Sequence, residues 1–293
     1  MAPIERPVQP NASGSRALGR LFAVAKALVA TAIAIVLAHQ ASLLLHEWAH
    51  GTIAWIFGYK PSPFAIHYGD WTLLDADEAI DYRAILAAGR GPLVAAIAIA
   101  PIILGGALYV AGTPLLALRA VQRRKALWVF LYWFNLSNLG QVLDYIPQRT
   151  FVAAEEGLLR GDIGHFVQGL GVSPWTVCVP GVLFVAAGVV WLLRNEVPRA
   201  YAVLAVERSG RAALLALTLA YLFCWYGMAG RGYGFPSNAL SLASPALAIV
   251  LFIVCRPKRR WVGDRAAAFA AAGEPSGQTR RSMKTPTGRP RGL

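Results

Sequence analysis

Charge is scarce in this chain. Of its 293 residues only 15% are Asp, Glu, Lys or Arg, while 56% are hydrophobic. That balance excludes an ordinary soluble domain, in which about 25% of residues are charged. Cysteine is scarce too. Cys178, Cys224 and Cys255 each fall within or beside an apolar run, at spacings that form no metal motif. A disulfide framework is therefore excluded, and the three read as small buried hydrophobes. Acidic residues are the third shortage, 15 against 28 Lys plus Arg, which gives a formal net charge of +13. An excess of this kind can serve nucleic acid, but here the cations cluster at the ends of apolar runs. The C-terminal run Arg256, Lys258, Arg259 and Arg260 has no interleaved aromatics to stack on bases. The cations read as anchors at a membrane surface, and no nucleic-acid partner is expected. Internal repeats and a second domain are also lacking.

Apolar sequence is plentiful. Windows long enough to span a bilayer recur at about 21–57, 92–112, 126–144, 177–193, 212–229 and 239–255. The expected fold is all-α, a polytopic membrane helix bundle of about six transmembrane helices with disordered termini. Tails are expected at 1–16 and 262–293, where Pro, Gly, Ser and Arg prevail, around one membrane-embedded domain at 17–261. The first apolar run continues past any plausible cleavage site, so it reads as a retained helix and not a signal peptide.

Lys and Arg alternate between rich and poor connections. The rich set is the N-terminal flank, 119–125, 194–211 and the stretch from Arg256, with sixteen cations; the poor set between them has six. This asymmetry predicts an even number of spans, both termini in the cytoplasm, and a multi-pass integral membrane protein.

Inside the first apolar run stands His46-Glu47-Trp48-Ala49-His50, an H-E-x-x-H pattern. On a helix its two imidazoles project from one face, one turn apart, which suits two ligands of one zinc ion. Glu47 beside them suits a general base acting on water. Ionisable groups are costly in a membrane and are functional candidates there by default. Both histidines lie toward the C-terminal end of span one, and Asp144 lies at the C-terminal end of span three. Odd-numbered spans run the same way, so Asp144 is placed to serve as a third ligand.

At this point the sequence resembles the site-2 protease family of intramembrane zinc metalloproteases. Three blocks carry the resemblance: His46-Glu47-x-x-His50 with Gly51 after it, Gly89-Arg90-Gly91-Pro92-Leu93 opening the next span, and Asn135-Leu-Ser-Asn138 through Leu143-Asp144. They cover roughly residues 40–147, within a metalloprotease-like core at about 21–147; the additional helices at about 177–255 match nothing in the family. The family pattern usually has Gly after the aspartate, whereas Tyr145 follows here. The resemblance implies Zn2+ held by His46, His50 and Asp144, with Glu47 activating a water to hydrolyse a peptide bond in or near a transmembrane segment. The implied partners are the lipid bilayer and a membrane-spanning protein substrate. Other classes stay open: a non-proteolytic metal-binding scaffold, and a transporter, for which the later spans lack charged residues.

Several residues have two readings. Asn135 and Asn138 suit either a clamp on substrate backbone or interhelical hydrogen bonds. The connection 59–91, with its prolines, aromatics and Asp75, Asp77, Glu78 and Asp81, suits either a re-entrant loop at the substrate's path or a solvated loop. Asp162 and His165 form a D-x-x-H pair after span three, a weak metal signal. His39 reads as structural, Glu155-Glu156 as a solvated pair, and His67 as a loop histidine without a partner.

Overall fold

The apolar runs become helices because a chain in lipid must satisfy its backbone hydrogen bonds internally. The structure, a computed structural model, describes residues 12–256 apart from 153 and 156. The expected tails therefore lie mostly outside the described residues. In chain order the helices are α1 (Ala12–Ile56), α2 (Tyr82–Ala87), α3 (Gly91–Leu115), α4 (Arg119–Gln122), α5 (Lys125–Leu143), α6 (Gly161–Leu170), α7 (Trp175–Trp191), α8 (Val197–Val203), α9 (Arg208–Ala220) and α10 (Ser237–Cys255). Single π-helical turns follow α5, α7 and α9, at Asp144–Gln148, Leu192–Glu196 and Tyr221–Trp225. A two-residue hairpin, Ala154–Glu155 with Leu158–Leu159, is the sheet among the described residues. The fold is an all-α bundle.

Five helices are long and apolar enough to cross a membrane: Val24–Ile56, Gly91–Leu115, Trp175–Val203, Gly210–Met228 and Ser237–Cys255. The sixth expected span is α5, whose apolar character is diluted by Asn135, Ser137, Asn138 and Gln141. These four are buried. They face protein because α5 is the centre of the bundle, packed against α1, α3 and α7. Trp128, Tyr132, Trp133, Leu136 and Leu139 fill that centre. In lipid, close packing and interhelical hydrogen bonds hold helices together. Tyr132 Oη pairs with Thr218 Oγ1 at 2.8 Å, and Ser137 Oγ with Tyr221 Oη at 2.8 Å. Gly140 lets the Tyr226 ring come so close that a Cβ would lie 2.2 Å from it.

The fourth span is longer than its apolar run. The Leu192–Glu196 turn joins α7 to α8 without a break, so Arg194, Glu196 and Arg199 belong to the helix and not to a connection. The later spans thus do carry charge. Glu196 is fully buried and accepts from Thr113 Oγ1 at 2.8 Å and from Asn135 Nδ2 at 3.2 Å.

Two further contacts place the site. Gly91 and Gly169 cross backbone to backbone: a Cβ on either would lie within 2.4 Å of the other's carbonyl oxygen. This crossing seats α6 on α3. The loop from Tyr59 to Asp81 folds back along α1. Pro63 O would lie 2.2 Å from a Cβ on Gly51, the Phe64 ring meets the Trp48 ring at 5.1 Å, and Gln40 Nε2 donates to Trp71 O at 2.8 Å. Gln40 lies sixteen positions before Ile56 (56 − 40), so the loop returns roughly 24 Å down the helix.

Candidate metal centre

His46 and His50 occupy successive turns of α1, as the spacing requires, with ring centroids 5.0 Å apart. Both are buried. Both Nε2 atoms face one oxygen: Asp162 Oδ2 lies 3.1 Å from His46 Nε2 and 3.3 Å from His50 Nε2. Asp162 is the second residue of α6, where the helix N-terminus favours a carboxylate. Burial drives the Asp162 pKa up, but the facing His50, then the hydrogen bonds of His46 and His50, hold it below the ordinary carboxylate range.

The other nitrogen of His50 settles what this cluster needs. Nδ1 lies 2.9 Å from Ile97 O. A carbonyl only accepts, so Nδ1 carries the proton. In the neutral ring Nε2 is then a bare lone pair pointing at a carboxylate oxygen. A positive charge must sit between them, either a second proton or a metal ion. Ile97 O is free to accept because the residue four further on is Pro101, which has no N–H to give it. A proline in α3 thus fixes the tautomer of a histidine on α1.

The donor set fits a metal. Two imidazoles and a carboxylate are ordinary zinc ligands, and at bond lengths of about 2.0–2.1 Å tetrahedral ligands stand about 3.3 Å apart. The observed 3.1 and 3.3 Å match that spacing. His46, His50 and Asp162 place their ligand atoms within 4.8 Å of one another, as do Glu47, His50 and Glu78. Glu47 is buried, and its Oε2 has no hydrogen-bond partner.

Asp144 does not join this group. The expectation that it meets the two imidazoles is corrected. Its Oδ1 lies 2.9 Å from Arg149 Nε, which holds the carboxylate in an ion pair. The next residue takes the place beside the motif: the Tyr145 ring stacks on His46 at 4.8 Å and 19°. The asparagines form interhelical bonds. Asn135 is engaged by Glu196, and Asn138 accepts from Ser42 Oγ at 3.4 Å and donates to Phe134 O at 2.8 Å. His39 Nδ1 pairs with Tyr226 Oη at 2.8 Å, a structural role. His67 makes a backbone bridge to Asp77.

Around the centre stand Tyr82, His165 and Lys60. Tyr82 Oη lies 3.4 Å from His50 Nδ1, and the Tyr82 ring packs on His165 at 4.1 Å. Burial lowers the His165 pKa. Lys60 Nζ donates to Glu78 O. Of these only His165 had a signal, the D-x-x-H pair. A cavity of about 740 Å3 opens against His165. No protein-family model, curated protein or solved structure matches the chain.

Proposed function

We propose that this protein is a zinc-dependent intramembrane endopeptidase, with His46, His50 and Asp162 as metal ligands and Glu47 as general base. The observation that carries the proposal is the convergence of two Nε2 atoms on one Asp162 oxygen, beside a buried Glu47 carboxylate that has an unpartnered oxygen. The bound metal would supply Lewis acidity toward a peptide carbonyl and toward water. Glu47 takes a proton from the attacking water at Oε2 and returns it to the leaving amine. Ile97 O and Tyr82 keep the His50 ring in one orientation. The motif lies in a membrane-crossing helix, so the substrate is a membrane-spanning or membrane-proximal segment. A helical segment has to unwind locally to present a carbonyl, because helical carbonyls are already hydrogen-bonded.

The test is Glu47→Gln in purified full-length protein. Zinc content should stay at the wild-type level, while cleavage of a membrane-spanning substrate should fall by at least about 100-fold, as for loss of a general base. Equal cleavage by both proteins would refute the mechanism. Full zinc with no cleavage by either would leave a metal-binding scaffold.

A further inference from the structure

Glu78 has no part in the scheme above, yet the loop holds it against the centre. Glu47, His50 and Glu78 each place one ligand atom within 4.8 Å of the others. Glu47 is 5% exposed, and its Oε2 has no hydrogen-bond partner. The loop fixes Glu78 from several sides. Asp77 before it exchanges both backbone hydrogen bonds with His67, at 2.9 Å each. Ala79 after it donates its N–H to Asp77 Oδ1 at 2.7 Å. Lys60 Nζ donates to the Glu78 carbonyl. The Glu78 side chain turns to the centre, where the Tyr82 hydroxyl hydrogen-bonds to it. That hydroxyl also lies 3.4 Å from His50 Nδ1.

Two carboxylates and an imidazole are ordinary ligands of zinc and related divalent ions. An unpaired buried carboxyl oxygen, such as Glu47 Oε2, is costly unless a partner meets it. The Tyr82 hydroxyl on Glu78 is the kind of outer hydrogen bond that orients a ligating carboxylate. We propose that Glu47, His50 and Glu78 form a second, outer position for a divalent metal ion, weaker than the inner one and sharing His50 with it. The proposal rests on the reading of His46, His50 and Asp162 as the inner metal position. His50 gives Nδ1 to Ile97 O, so one lone pair remains, and an ion occupies one position or the other. Glu78 is half-buried, in the loop outside the five segments able to cross a membrane, whereas the three inner ligands are buried. The outer position therefore stands nearer water than the inner one. An ion held there engages Glu47 as a ligand and withdraws it from service as a base. The protein is then idle until the ion moves inward.

The test uses full-length protein in a neutral detergent, with zinc as the only added metal. Chelator competition gives the affinity, and zinc K-edge absorption at substoichiometric zinc counts the imidazoles on the ion. Wild type should show two imidazoles, from the inner position. Asp162→Ala leaves both histidines in place but should move the ion outward, to one imidazole and a weaker affinity. Adding Glu78→Gln to Asp162→Ala should weaken zinc binding by at least about tenfold more, no less than for loss of an outer partner. Glu78→Gln alone should stay near wild type, because the inner position dominates. Glu78→His on Asp162→Ala should regain the affinity lost with Glu78→Gln and raise the count to two, which a merely misfolded variant would not do. Two imidazoles in Asp162→Ala, or a residual affinity indifferent to Glu78→Gln, would overturn the outer position. An equal loss from Asp77→Asn in the same background would overturn it too, since the effect would then be charge alone. Wild type that takes up no stoichiometric zinc refutes the inner reading and the outer one with it, whereas zinc-replete wild type with any of the three results above refutes the outer position alone.

Discussion

His50 uses both of its ring nitrogens: Nδ1 holds Ile97 O while Nε2 faces Asp162. His46 has only the second of these contacts, and its Nδ1 is buried without a partner. Among the described residues Asp162 is thus the group whose carboxylate ties both imidazoles together. Replacing it by Ala should lower zinc affinity by more than about 100-fold, beyond the 10–100-fold common for outer partners of ligands. Asp144→Asn should leave zinc affinity near wild type, because that carboxylate serves Arg149. Competition with a chromophoric chelator measures both, and the reverse ranking would restore Asp144 as the ligand. The histidines and Glu47 were legible in the sequence because four-residue spacing on a helix dictates a shared face. Asp162 was not, because its signal was two polar residues in a connection. Asp144 was preferred from position along the chain, which cannot say that Tyr145 would win the place beside His46.

At the scale of elements, α3 is the platform of the site. Its carbonyl at Ile97 anchors α1, and its first residue, Gly91, receives α6 at Gly169. The Gly-Pro start of this span was visible in the sequence, but its use was not, since the partner glycine lies seventy-eight positions away (169 − 91). Pro101 is the other device. Pro101→Ala would return an amide to Ile97 O and put it in competition with His50. Zinc affinity should then fall by about tenfold, the size of an outer-shell loss, while the helix itself gains a hydrogen bond. Calorimetric titration with zinc, beside a thermal melt of the apo protein, separates the two effects. An unchanged zinc affinity would mean that the Ile97 carbonyl does not hold the imidazole. The central helix α5 shows the converse limit of sequence reading. Its polar residues make it look less like a span than its neighbours, because hydropathy cannot distinguish a helix facing protein from one facing water.

For the whole molecule, length and hydropathy were enough to locate five helices that could cross a membrane, since lipid leaves helices few alternatives. Long-range backbone contacts were not readable: nothing in residues 59–81 announces that Trp71 will meet Gln40. The arrangement of cations adds a prediction about orientation. Both termini are proposed to face the cytoplasm, which puts His46, His50 and Asp162 toward the opposite side. Alkaline phosphatase fused after Arg260 should be inactive, and the same reporter inserted at Gly157, in the turn before α6, should be active. The opposite pattern would invert the topology and move the His46, His50 and Asp162 cluster to the cytoplasmic face.

Gly51 stands directly after the second histidine, where the carbonyl of Pro63 would touch any Cβ it carried. In steric terms the motif is six residues long, H-E-x-x-H-G, and its last position is a keyhole for the loop. A methyl group there would act as a wedge, levering the loop away from α1 without touching an atom of His46, Glu47 or Asp162. The loop and the candidate metal centre are therefore hinged on one absent side chain.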